Sequence, residues 1–87
     1  MKPADFSGKN VVITGTLAAC SRPRAQSILI RCGARCTGAV SRKTDLLIVG
    51  DKPGHKLELA EEYGTPILYD EQFSPWLRSL KRSDFPA

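Results

Sequence analysis

Three short stretches hold the residues able to do chemistry. Thr14-Gly15-Thr16 closes an apolar run and offers two hydroxyls and a glycine N–H that can approach a ligand closely. Ser21-Arg22-Pro23-Arg24 opens one helical pattern, and Asp51-Lys52-Pro53-Gly54-His55-Lys56 leads into another. A helix N-terminus carries partial positive charge, so acidic residues belong there and each cation costs about 0.3–1 kcal/mol. Here both starts are cationic: Arg22 and Arg24 at one, Lys52 and Lys56 at the other. The second helix then runs from Lys56 to Glu58, Glu61 and Glu62, the reverse of what its dipole favours. A local rule broken twice points to function. A bound anion would reconcile both starts, because free N–H groups, threonine hydroxyls and Arg/Lys side chains together make a phosphate pocket. The alternative is a set of solvated cations that are only weakly unfavourable.

The other constellations carry less. Arg42-Lys43 is a separate basic spot, read first as a solvated turn. Cys20, Cys32, Cys36 and His55 can be counted as a Cys₃His set, but their spacing matches no common zinc module, and Cys32 falls on an apolar helical stripe. No metal is expected. Cys20 precedes a helix start beside Arg22, yet a Cys-x₅-Arg phosphatase loop would need Arg where Gln26 stands. A spectator or redox-sensitive thiol is the better reading. Neither nucleotide fingerprint, G-x-x-x-x-G-K-[ST] or G-x-G-x-x-G, is present, and His55 is the single histidine. The expectation is a binding module without catalytic residues or cofactor. Phe73 and Trp76 lie at core spacing and are read as packing.

These stretches must be positioned by a small set of elements. Asn10 to Thr14 is β-branched and apolar, a short buried strand. Ser21 caps a helix whose Ala25, Ile28, Leu29 and Cys32 fall at i, i+3, i+4 and i+7, ended by Gly33. Ala34 to Gly38 is a weaker strand and Leu46 to Val49 the strongest. Gly54 to Tyr63 is a second helix, ended by Gly64, and Pro66 to Tyr69 a further strand. Phe73, Trp76, Leu77 and Leu80 repeat the helical spacing. In that third helix Pro75 allows two starts: Asp70 caps and the first turn is distorted, or Ser74 caps with Pro75 at the first helical position. The order β-α-β-β-α-β-α argues for a mainly parallel sheet covered on both faces, with ligands beyond the carboxyl ends of the strands.

Composition bounds this picture. The chain has 87 residues, which is one domain, placed at 6–81 with 1–5 and 82–87 as tails or linkers. Hydrophobic residues are 41% and charged residues 25%, the balance of a globular domain. Lys and Arg number 13 against 9 Asp and Glu, a net +4 that suits an anionic partner. The longest apolar run, Leu46 to Val49, is far short of the roughly 20 residues that cross a bilayer. With no signal-like stretch, reduced thiols and an intracellular setting are expected, without a membrane partner.

At this point a family resemblance enters. Phe6 to Leu17 (FSGKNVVITGTL) resembles the opening of a BRCT domain; Gly33 to Gly50, Gly54 to Ala60 and Gly64 to Phe73 fit its later motifs, so the likeness runs from about Phe6 to Leu80. It is nearest the subclass found in bacterial NAD-dependent DNA ligases and in the large subunit of replication factor C. The resemblance implies a four-stranded parallel sheet in order 2-1-3-4, with the first and third helices on one face and the second on the other. It also implies a phosphate held by Thr14, Gly15, Arg22 and Lys56, the pocket already suggested by the misplaced charges. Thr16, Arg24, Lys52, Arg42 and Lys43 would then contact neighbouring backbone phosphates. The partner implied is DNA, through a 5′-phosphate at a nick, gap or recessed end, in replication or repair, in a bacterial cytoplasm or nucleoid or in a nucleus. The alternative is a protein-interaction module that reads phosphoserine or docks a repair protein. The chain departs from the family pattern at Ala34, where a second glycine is usual. Gly54 stands where phosphopeptide binders usually carry Ser or Thr, and such binders tend to work as tandem pairs whereas this chain has one copy; both points favour DNA.

Overall fold

The computed structural model describes residues 1–85. Four strands, β1 (Asn10–Thr14), β2 (Arg35–Cys36), β3 (Leu46–Val49) and β4 (Ile67–Tyr69), form one parallel sheet in the order β2-β1-β3-β4. Three helices, α1 (Arg22–Arg31), α2 (His55–Tyr63) and α3 (Asp70–Ser79), cover it. The β-α-β-β-α-β-α order and the strand order 2-1-3-4 are therefore those expected.

Alternation along the strands divides the core in two. Val11 and Ile13 of β1 and Ile48 of β3 face α1 and α3, where they bury Ala25, Leu29, Cys32, Phe73 and Leu77. Val12 of β1 and Leu47 and Val49 of β3 face the other way, onto Ala60 and the half-buried Leu57 of α2. Truncating a core side chain such as the fully buried Leu29 to Ala costs about 2–5 kcal/mol. The helix signals lie where expected: Ser21 caps α1 and accepts from the Arg24 amide at 3.4 Å, and Gly64, at φ 70°, ends α2.

Two local features depart from the expectations. β2 is two residues long and not five, because Arg35 is exposed and only Cys36 turns partly inward. α3 begins at Asp70 with Tyr69 at its cap, so Asp70 is the first helical residue and Pro75 lies inside the helix. The amide that Pro75 lacks would have served the carbonyl of Glu71, an exposed residue of the first turn where water can replace it. The segments expected as tails, 1–5 and 82–85 among the described residues, each touch the domain at one point. Pro3–Phe6 and Arg82–Asp84 are 3₁₀ turns, the Trp76 indole donates to the Met1 carbonyl at 2.9 Å, and the Arg31 guanidinium sits 4.5 Å from the Phe85 ring centre. Residues 86 and 87 lie outside the described residues. Trp76 also packs against Phe6 and Phe73, with ring centres at 5.1 and 5.9 Å, as its spacing predicted.

Candidate anion-binding site

The site grows from the carboxyl ends of β1 and β3. Beyond them the two chains stay in contact: the Gly50 amide donates to the Thr14 carbonyl at 2.8 Å, and Thr16 and Asp51 exchange backbone hydrogen bonds at 2.9 and 2.8 Å. Gly15 has φ +79°, and a Cβ there would lie 2.6 Å from the Asp51 carbonyl oxygen. Both the left-handed backbone and the close approach therefore demand glycine. The Gly15 N–H has no protein acceptor among the described residues.

Around this turn lies a cavity of about 370 Å³ lined by Thr14, Gly15, Thr16, Arg22 and Lys52, with Leu17, Cys20, Ser21 and Pro53 completing its wall. Arg22 is the first residue of α1, so the N-terminus of that helix opens onto the same space. A smaller concavity of about 250 Å³ adjoins it, and there Arg22 meets the half-buried Lys56 together with Gln26 and Thr37. Arg22 is thus common to both, while Lys56 lines only the second. A larger cavity of about 430 Å³ lies beside α3. It carries Asp51, Asp70 and Glu71 against the single cation Arg78, a charge set that repels phosphate.

The expected residues separate as follows. Gly15, Thr16, Arg22 and Lys52 come together. Lys52 does so with φ 54°, a left-handed backbone that is uncommon for a non-glycine residue. Thr14 also lines the cavity, but it is 4% exposed and its hydroxyl donates to the Pro53 carbonyl. Its proton serves the loop that approaches α2. Arg24, exposed at the third position of α1, lines neither concavity. Arg42 and Lys43, expected among the backbone contacts, stand at the opposite end of the sheet from this cavity. The Lys43 carbonyl accepts from the side chain of Asn10, where β1 begins, and Arg42 lies 5.9 Å from the ring centre of Tyr63, the last residue of α2. The loop leaves the carboxyl end of β2 but has already returned to the amino end of β3.

Sequence reasoning missed Asp70, Ser74 and Arg78. These α3 residues hold the backbone of Ala18 and Ala19, in the segment between Thr16 and α1. Their spacing of four was a signal, since it places three polar residues on one face of an amphipathic helix. The cysteines sort by burial. Cys32 is fully buried in the core, and burial pushes its thiol up, with Arg31 opposing; burial also raises Cys36. Among the described residues no group of three or more His, Cys, Asp or Glu could hold a metal, and no helix is long and apolar enough to cross a membrane.

A parallel four-stranded sheet with two helices on one face and one on the other, and a cationic cavity at its carboxyl edge, defines a small α/β domain. The family model of the BRCA1 C Terminus (BRCT) domain matches residues 1–74, and the chain belongs to that family. BRCT domains are non-catalytic modules. Over 74 residues the chain is 47% identical to a DNA ligase of Brevibacillus brevis, a match covering 85% of this chain and 11% of that protein. It is 47% identical over 75 residues to a DNA ligase of Bifidobacterium animalis subsp. lactis (86% and 9%), and 45% identical over 74 residues to one of Legionella pneumophila (85% and 11%). The chain thus spans about a tenth of the length of these relatives. It is a BRCT module homologous to one segment of DNA ligases.

Proposed function

We propose that this domain binds a phosphate at a DNA nick, gap or recessed 5′ end, as the non-catalytic module of a NAD-dependent DNA ligase-like protein in replication or repair. The observation that carries the reading is the convergence of Gly15, whose N–H has no protein acceptor among the described residues, the Arg22 start of α1 and Lys52 on one cavity. An N–H donor and a helix N-terminus together favour an anion, and Arg22 adds charge-assisted hydrogen bonds with bidentate geometry. Lys56, beside Arg22 in the adjoining concavity, supplies further charge toward the same ligand. Contacts of this kind fix position and carry no base sequence, so binding is indifferent to it. Gly54, at the cap of α2, offers no hydroxyl to a phosphoserine, and this favours DNA over a phosphopeptide.

The test is fluorescence anisotropy of the 87-residue chain against a labelled duplex with a recessed 5′ end, at physiological salt. Tighter binding of the 5′-phosphate form than of the 5′-hydroxyl form is expected. Equal weak binding of both would reduce the site to a generic basic surface and make phosphopeptides the next ligand to try.

A further inference from the structure

The segment from Thr16 to Ser21 has no regular secondary structure, yet it must hold the Gly15 N–H and the start of α1 toward one ligand. On its β3 side it is tied by the backbone exchange between Thr16 and Asp51. No main-chain hydrogen bond reaches residues 17–20 among the described residues. Three side chains of α3 do so instead. The Asp70 carboxylate accepts from the Ala18 amide at 2.8 Å, the Arg78 guanidinium donates to the Ala18 carbonyl at 3.1 Å, and the Ser74 hydroxyl oxygen accepts from the Ala19 amide at 3.0 Å. The Ser74 hydroxyl proton in turn goes to the other Asp70 oxygen, and Ser74 is 1% exposed. The three residues stand at i, i+4 and i+8, one above the other along α3. They lie 52 to 60 residues from the segment they hold.

We infer that Asp70, Ser74 and Arg78 are positioning residues for the phosphate site: they clamp the Ala18–Ala19 backbone so that the Gly15 N–H and α1 are set for the anion before it arrives. The inference rests on the phosphate reading above. Asp70 carries the largest share, because its two oxygens join the Ala18 amide to Ser74 and a charged acceptor strengthens both bonds. A donor that must be organised during binding loses affinity to the cost of ordering it. Attraction of Lys and Arg for the duplex backbone needs no such order. Loss of the clamp therefore lowers discrimination between 5′-phosphate and 5′-hydroxyl ends and leaves the 5′-hydroxyl affinity in place.

The experiment compares wild type, Asp70→Ala, Asp70→Asn and Ser74→Ala by anisotropy on the two duplexes, with hydrogen exchange of the Ala18 and Ala19 amides followed by NMR without DNA. In Asp70→Ala the 5′-phosphate preference is expected to fall about tenfold, the worth of one charge-assisted hydrogen bond. The 5′-hydroxyl affinity stays within about twofold in the same variant, a difference too small to reflect a lost contact. Asp70→Asn keeps an acceptor for the Ala18 amide and recovers most of the preference. Ser74→Ala, which retains the carboxylate, speeds Ala19 exchange and lowers the preference less. A general loss of structure would weaken both duplexes together and would overturn the inference, as would Asp70→Ala discriminating as well as wild type. A wild type that does not discriminate overturns the phosphate reading and this inference with it, whereas a discriminating wild type beside an Asp70→Ala that discriminates as well overturns the inference alone.

Discussion

The hydroxyl of Thr14, the last residue of β1, donates a hydrogen bond to the carbonyl of Pro53, 39 residues along the chain in the approach to α2. The bond ties the turn that presents Gly15 to the loop that presents Lys52, so two of the groups lining the cavity are held by a residue that itself spends its proton on protein. Thr14→Val keeps the shape and removes the donor. It is expected to lower the free energy of unfolding by about 1–2 kcal/mol, the cost of leaving a part-buried carbonyl without its partner. Thr14→Ser should recover more than half of that. Urea titration of the three proteins decides. Were Thr14 a direct ligand, Thr14→Val would weaken 5′-phosphate binding at unchanged stability.

Lys52 pays a conformational cost to be where it is. Its φ of 54° disfavours every residue but glycine by about 1–2 kcal/mol, and Pro53 behind it narrows its choices further. Strain of this kind persists where function needs the side chain. Lys52→Gly is therefore expected to raise the free energy of unfolding by about 0.5–1 kcal/mol, part of the relief being returned as backbone entropy of the unfolded chain. The same variant should bind the 5′-phosphate duplex less tightly. Lys52→Ala should lose the same affinity without the gain in stability. Opposite signs on stability and affinity in the glycine variant, read from urea curves and anisotropy, distinguish a residue kept for binding from one kept for the fold.

Charge placement gives a third prediction. With about three phosphate contacts, log K should fall against log salt with a slope near −2.7. Arg22→Gln or Lys56→Gln should flatten the slope by about 0.9 each, and Lys56→Glu should abolish binding with little change in stability. Arg42→Gln and Lys43→Gln should leave slope and affinity as they are, because those residues sit by Asn10 and Tyr63 at the far end of the sheet. Anisotropy titrations at several salt concentrations read all of these.

Much of this architecture was legible in the residues. In the stripe of Ala25, Ile28, Leu29 and Cys32 three residues are buried and Ile28 packs half-buried against them, Ser21 and Gly64 ended their helices, and cations at two helix starts marked the edge where the cavity lies. What spacing could not give was the third dimension of irregular segments. Arg42-Lys43 follows the carboxyl end of one strand and precedes the amino end of another, so chain order alone left both ends of the sheet open to it. The clamp of Asp70, Ser74 and Arg78 joins residues more than 50 positions apart, beyond the reach of any periodicity. Pro75 was harder for a different reason: its local preference favours a helix start, and the packing of Phe73 and Leu77 overrides it.

The burial of Cys32 and the partial burial of Cys36 couple the stability of the fold to alkaline pH. Burial raises both Cys32 and Cys36 above the ordinary thiol range, near 8.5 in an unfolded chain. Below that pH both states hold the thiol protons, and the contribution of each neutral thiol to stability is fully present. As pH rises past about 8.5 the unfolded chain releases protons that the folded one keeps, so the unfolded state is favoured and stability falls, until the folded thiols ionise as well. The slope is at most about 1.4 kcal/mol per pH unit for each thiol. Urea unfolding at pH 7.5 to 10.5 should show this decline in wild type and a shallower one in both Cys36→Ala and Cys32→Ala. Cys32→Ala should also lose stability at every pH, because its sulfur fills the core beside Leu29, whereas Cys36, at the half-buried edge strand, should cost less. The comparison of slopes between variants is the decisive reading, and equal slopes in all three proteins would remove the thiols from the account.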